Sequence, residues 1–131
     1  MRHQARAGLA AAIVALATAG AALAAEEWIH LGTRRVTDRI DHDRIEVGAD
    51  RGAFSALQIR VGRAAVQFRS VIVHFSNGKR QELELRSVIP AGGQSRVLDL
   101  VGDDRRIRAV ELHYDAQTRG RAGAVRVFGR R

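Results

Sequence analysis

The sequence predicts an all-β protein: an antiparallel β-sandwich of about seven to nine short strands, jelly-roll-like or immunoglobulin-like, with a small barrel as the alternative. Three observations lead to this fold class. Apolar and polar residues alternate along most of the chain after residue 25, as in strands with one buried and one solvated face. Glycine-containing turns separate these segments. No segment after residue 25 keeps its apolar residues at helical spacing.

The alternation is clearest in the middle of the chain. In residues 54–61, Leu57, Ile59 and Val61 fall on one face, whereas Gln58 and Arg60 fall on the other. Residues 65–75 alternate as well, but the parity slips across Arg69-Ser70, which indicates a β-bulge with one extra residue. Further strands are predicted at residues 28–31, 35–37, 44–47, 80–86, 97–101, 107–114 and 125–127.

A hairpin is predicted around Asn77-Gly78. These residues separate two alternating segments, 71–75 and 80–86. An Asn-Gly pair readily adopts the positive φ angles of a two-residue turn. We therefore expect the two segments to pair as antiparallel neighbours.

Residues 1–24 are predicted to be a cleavable signal peptide. Arg2 and Arg6 form a short positive start, residues 8–23 carry no charge, and Ala22-Leu23-Ala24 offers small residues at the cleavage positions. The apolar stretch is too short and too rich in Ala and Gly for a stable membrane span, so no span is expected after cleavage. Residues 25–131 are then a single β-sandwich domain, sent by a Sec-type route to the periplasm or secreted.

The chain contains no cysteine and is strongly basic. The missing thiols exclude disulfides, thiolate metal sites and thiol catalysis. The formal net charge is +8, and arginine supplies nearly all of the positive charge. Such a surface attracts polyanions, but most arginines alternate with Asp or Glu along the chain. Because aromatic residues for base stacking are also few, no nucleic-acid partner is expected.

The order of the segments resembles a known family. The segments are WIHLG at residues 28–32, VIVHF at 71–75, GGQSRVLDL at 92–100 and VRVFG at 125–129. They are similar to the YaaI-like family of small periplasmic bacterial proteins, known as a domain of unknown function. The resemblance covers nearly all of the chain after the leader and implies a periplasmic location, a small size and an all-β fold. It implies no activity, and the cysteine pair of some members is absent here.

Two histidines are candidate metal ligands. On the predicted alternation, His74 and His113 both point to the solvated face, so they would lie close together if their strands are neighbours. Imidazole nitrogens ligate zinc and copper, and His30 or His42 would have to supply a third ligand. The alternative is that both are ordinary exposed polar side chains, because no short, repeated ligand spacing is present.

An acidic segment is a second possible source of metal ligands. Asp38, Asp41 and Asp43 could offer carboxylates to calcium. The segment lacks the central glycine of an EF-hand loop, and Arg39 and Arg44 stand beside it. Local Asp–Arg pairs in a strand-connecting loop are the alternative.

Arginines near the end of the chain are candidate anion-binding residues. The tail from residue 126 onward contains no Asp or Glu, unlike the earlier arginine-containing segments. The candidates are Arg119, Arg121, Arg126, Arg130 and Arg131.

The sequence contains no catalytic motif. None of its serines lies in Gly-x-Ser-x-Gly, and no glycine-rich phosphate loop occurs. We therefore predict a non-enzymatic binding or structural module without a cofactor, whose unknown partner is an envelope component or another periplasmic protein. Two alternatives stay open: a cationic module that contacts anionic envelope components, and a metal-binding protein or hydrolase that uses His74 and His113.

Overall fold

The computed structural model describes residues 27–36, 40–102, 104–116 and 122–131. Within these ranges there are eight strands and one short 3-10 turn, Ala49–Arg51, and no helix is long and apolar enough to cross a membrane. The strands are β1 (Trp28–Val36), β2 (Ile40–Glu46), β3 (Ala56–Gly62), β4 (Val66–Phe75), β5 (Arg80–Ile89), β6 (Leu98–Asp99), β7 (Ile107–Ala116) and β8 (Gly123–Arg130).

The strands form two four-stranded antiparallel sheets packed face to face. Sheet A has the order β1-β8-β3-β6, and sheet B has the order β2-β7-β4-β5. The chain changes sheet at every connection between these strands except the β4–β5 hairpin. This is the strand order of a jelly roll. The predicted all-β sandwich is confirmed with the jelly-roll order, and the sheets do not close into the alternative barrel.

The core lies between the inner faces of the two sheets. Ile59 and Val127 of sheet A and Val71 and Leu112 of sheet B are fully buried. Phe54, in the loop before β3, is also fully buried. Burying these apolar surfaces is the main source of stability in a chain without disulfides.

The predicted hairpin and bulge are both confirmed. β4 and β5 pair antiparallel, and their register shifts between Phe68 and Ser70. The turn is longer than the predicted two residues, because Phe75 N donates to Lys79 O at 2.8 Å and leaves three residues in the loop. Ser76 N donates instead to Arg106 O, at the entry to β7, so Ser76 is not available to pair with Lys79.

Several strand boundaries differ from the prediction, among them those of β1, β6 and β2. Residues 28–36 form one strand rather than two, because a bulge between His30 and Gly32 changes the alternation in mid-strand. Only Leu98–Asp99 of the predicted strand 97–101 pairs with β3. The acidic segment predicted as a loop enters β2 at Ile40, where its backbone pairs with β7.

Long polar side chains cap the edge strands of both sheets. Carbonyl groups on the outer side of an edge strand lack a ladder partner. Arg34 Nε and Nη2 donate to the carbonyl oxygen of Arg44 on β2 at 3.1 and 2.7 Å. Arg96 Nη2 donates to Glu84 O on β5 at 2.8 Å, and Arg51 reaches a carbonyl of β1 in the same way. Several arginines therefore stabilise sheet edges rather than contribute to an open surface.

Gly129 on β8 provides a test of the close packing. A Cβ at this position would lie 2.7 Å from Phe54 Cδ1 and 3.1 Å from Leu31 Cδ1. We expect Gly129→Ala to lower the free energy of unfolding by about 1–3 kcal/mol, measured by urea denaturation. Gly62→Ala on β3 is the matched control, because its Cβ would approach nothing nearer than Arg126 Nη2 at 3.9 Å. Equal effects of the two substitutions would contradict this description of the packing.

Candidate functional site

The outer faces of the two sheets differ in charge. β1, β3 and β8 contain no Asp or Glu, and Asp99 of β6 is the one acidic residue in the strands of sheet A. On sheet B, arginines stand beside carboxylates: Arg44 Nε lies 2.6 Å from Glu46 Oε1. The acidic residues in the strands of sheet B are Asp41, Asp43, Glu46, Glu82, Glu84, Glu111 and Asp115. The jelly-roll topology therefore separates charges that are interspersed in the sequence.

Aromatic rings hold arginines on the outer face of sheet A. Arg60 Cζ lies 4.0 Å from the centre of the Phe128 ring, and Arg130 Cζ lies 5.4 Å from the centre of the Trp28 ring. Both distances are within cation–π range. Arg60 Nε also donates to Gln58 Oε1 at 3.2 Å. These neighbours stabilise the guanidinium groups but do not neutralise their charge.

Two arginines of like charge stand opposite one another at the centre of this face. Arg126 of β8 pairs in register with Arg60 of β3. Thr33 of β1 is the register partner of Arg126 on its other side, and Gln94 pairs with Arg60. None of these four side chains, which lie side by side across the sheet, is a carboxylate. Like charges directly opposite each other on adjacent antiparallel strands repel. A bound anion would relieve this repulsion.

The structure assigns different surroundings to the five predicted anion-binding arginines. Arg126 and Arg130 lie on the outer face of sheet A. The Arg131 guanidinium lies 4.9 Å from the centre of the Phe54 ring, at the end of the sandwich. Arg119 and Arg121 lie outside the described residues. The sequence interpretation did not include Arg60: alternation placed it on a solvated face, but alternation does not reveal that β3 and β8 are neighbours.

The two candidate metal-binding histidines lie on neighbouring strands of sheet B. His74 on β4 and His113 on β7 share its outer face, as the alternation predicted. Each has its Nε2 atom 3.5 Å from Glu111 Oε2. The ring of His42 stacks on that of His113, with centroids 5.6 Å apart. The histidines therefore converge on a carboxylate that the sequence interpretation did not single out.

The other proposed metal ligands do not join this group. His30 lies on sheet A, where its Nε2 is 2.8 Å from Thr33 Oγ1. The Asp43 carboxylate accepts a 2.6 Å hydrogen bond from the hydroxyl of Tyr114, a core residue. Asp38 and the side chain of Asp41 lie outside the described residues. Within the described part of the chain, no three His, Asp or Glu residues are arranged to hold a metal ion.

The pKa of Glu111 is lowered from its ordinary value. Partial burial by itself would raise it, because desolvation disfavours the carboxylate. Interactions with His74 and then His113 favour the charged form, and together they outweigh the burial. Glu111 therefore acts as the anionic centre of the histidine group.

The fold and the two faces define a small jelly-roll sandwich domain with one arginine-rich, largely acid-free surface. The chain belongs to a family described as a domain of unknown function (DUF2541), whose family model matches residues 9–129. No curated protein matches the chain.

Three solved structures are similar to this chain to different degrees. AlgX of Pseudomonas aeruginosa is 14% identical with a TM-score of 0.55, and the match covers 82% of this chain and 28% of AlgX. The SPBc2 prophage-derived protein YomS is 14% identical with a TM-score of 0.43, covering 82% and 94%. The Clostridium thermocellum xylanase 10B CBM22-1–GH10 structure is 10% identical with a TM-score of 0.31, covering 79% and 25%. The chain thus spans less than a third of AlgX, and that likeness concerns the fold alone.

The lowered pKa of Glu111 predicts a pH dependence of stability. Its charged form is stabilised by folding, so the contribution is fully present above the ordinary pKa of 4.5 and is lost as the pH falls through the lower folded pKa. We expect Glu111→Gln to be less stable than the wild type at pH 7, and the difference to shrink below about pH 4.5. Urea denaturation between pH 7 and pH 3 measures this.

Glu82→Gln is the control for this experiment, because it removes from the same face an exposed carboxylate that forms no ion pair with any residue that the structure describes. A stability difference that is equally large for Glu82→Gln, or that is constant with pH for Glu111→Gln, would contradict the prediction.

Proposed function

We propose that this chain is an exported, non-enzymatic binding module of the bacterial envelope, and that the outer face of sheet A binds anionic envelope components. The observation that carries the proposal is the Arg60–Arg126 pair, two like charges opposed on a face whose three long strands contain no carboxylate. An anionic partner supplies the missing counter-charge. The predicted signal peptide and the resemblance to the YaaI-like family support the envelope as the place where that partner is met.

The chemistry of the face supports binding rather than catalysis. Guanidinium groups stay protonated at neutral pH and donate several hydrogen bonds, but they offer no base or nucleophile. The Trp28 and Phe128 rings restrict the arginines that they contact, so less side-chain entropy is lost when an anion binds. Together these groups form a preorganised, cationic surface.

The face is also suited to contact an extended anionic surface. Its three long strands lie side by side in the order β1-β8-β3, so Arg60, Arg126 and Arg130 project from one side of one sheet. Each basic side chain near an anionic lipid surface contributes about 1 kcal/mol. This attraction weakens with salt, because the Debye length shortens.

Retention on anionic vesicles tests the binding surface. We expect the wild type to sediment with phosphatidylglycerol vesicles at low salt and to be released at roughly 1 M salt, where the Debye length is about 3 Å. The double variant Arg60→Gln, Arg126→Gln should bind about tenfold more weakly or worse, since two favourable charges are lost.

Arg44→Gln, Arg86→Gln is the matched control, because it removes two positive charges from sheet B, where each has a carboxylate neighbour. Retention that is unaffected by salt, or an equal loss for both double variants, would exclude sheet A as the binding face.

Export is tested separately, by locating the expressed protein in the cell and identifying its first residue. We expect the full-length sequence, expressed in a bacterium with a periplasm, to appear in the periplasmic fraction with its N-terminus near residue 25, as intact mass spectrometry would show. A cytoplasmic product that retains residues 1–24 would contradict the export proposal while leaving the surface proposal open to its own test.

A further inference from the structure

A small pocket lies at the end of sheet A, beside the turn from β3 to β4. It has a volume of about 240 Å³ and is lined by Thr33, Arg34, Arg35, Arg63 and residues 122–124. Among the described residues that line it, three are arginines and none is an Asp or Glu. A pocket of this size is smaller than a typical site for a drug-sized ligand, so it suits a single compact chemical group.

The backbone of Arg63 is held in an unfavourable conformation. Its φ angle is 72°, and among the described residues it is the one non-glycine residue with positive φ. Ala64 N donates to Gly62 O at 2.8 Å, which closes a three-residue γ-turn around Arg63. A positive-φ γ-turn is rare and strained for a residue with a Cβ, whereas glycine adopts positive φ without this penalty. Strain of this kind is concentrated at functional sites.

The three arginines that line the pocket differ in their partners. Arg34 lines the pocket, and its guanidinium is fixed by its bonds to the carbonyl oxygens of Arg44 and Thr33. Neither Arg35 nor Arg63 forms an ion pair with any residue that the structure describes. Gathering these charges around one pocket costs electrostatic energy, which an anion of high charge density offsets.

We propose that this pocket binds a phosphate monoester group. The three arginines that line the pocket carry enough positive charge to balance a phosphate monoester, which carries roughly −1.5 to −2 at pH 7, whereas a carboxylate carries a single charge. The donor fork of arginine also suits phosphate oxygens. The inference rests on the proposed function and deepens it, because it names the group that the anionic partner presents.

Substitution of Arg63 distinguishes a role in phosphate binding from a role in stabilising the fold. Arg63→Gly removes the guanidinium and also relieves the strained turn. We expect glycerol 3-phosphate to bind about tenfold more weakly or worse to this variant, while its thermal unfolding midpoint stays the same or rises. A residue retained for a structural reason would show the opposite change in stability.

The experiment is isothermal titration of the purified protein with glycerol 3-phosphate, inorganic phosphate and acetate, at constant ionic strength. Acetate should bind at least about tenfold more weakly than either phosphate. Arg35→Gln is a second variant that should also weaken phosphate binding, and Arg86→Gln on sheet B is the control that should not. Phosphate binding that is absent, that is matched by acetate, or that is unchanged by Arg63→Gly would overturn the proposal.

Vesicles then distinguish a lipid phosphate from a soluble one. If the group is on a lipid, Arg63→Gly should reduce retention on phosphatidic acid vesicles, which expose a monoester, more than on phosphatidylglycerol vesicles, which expose a diester. If Arg63→Gly lowers only the binding of soluble phosphates, the pocket takes a soluble phosphate monoester.

The two proposals can fail separately. Salt-sensitive vesicle retention without phosphate binding would leave the sheet A surface standing and exclude the pocket. Arg63-dependent phosphate binding without vesicle retention would support the pocket and exclude the sheet A surface as the binding face.

Discussion

The period-two alternation of eight strands, each with one side turned to a shared core, is the constraint on which the rest of the molecule depends. Val125 and Val127 point inward on β8 and are fully buried, so Arg126 and Phe128 must project from the opposite side. A one-residue slip in register would bury the arginine and expose the valines. The cationic face is therefore fixed by the same packing that stabilises the fold.

The jelly-roll order explains how a chain with interspersed charges acquires two different faces. Neighbouring segments of the sequence enter different sheets, as β2 and β3 do, so the carboxylates of β2 do not lie beside Arg60. The alternation of Arg with Asp along the chain had favoured a charge-balanced surface. That interpretation describes sheet B, where Arg44 contacts Glu46. It does not describe sheet A, because spatial neighbours come from distant parts of the chain.

The features that the sequence could predict are those that depend on residues close together along the chain. Alternation and turn residues are local signals, and they gave the sandwich, the β4–β5 hairpin, the bulge near Arg69 and the outward direction of His74 and His113. Strand pairing across long loops is not local. For this reason the carboxylate of Glu111 between the two histidines was missed, and so was the Arg60–Arg126 pair. The strained turn at Arg63 has no sequence signal, because glycine is the residue expected at positive φ.

Arginine has three separate roles in this molecule, and they constrain each other. Arg34 and Arg96 cap edge strands, whereas Arg60 and Arg126 form the open surface of sheet A. The third role is to line the pocket that contains Arg63, and Arg34 combines it with the first, since it also caps β2. Losing Arg34 would expose an edge carbonyl and remove a pocket charge together, so its effect on binding could not be separated from its effect on the fold. Arg63 has no such double role, and its strained backbone makes stability and phosphate affinity move in opposite directions when glycine replaces it.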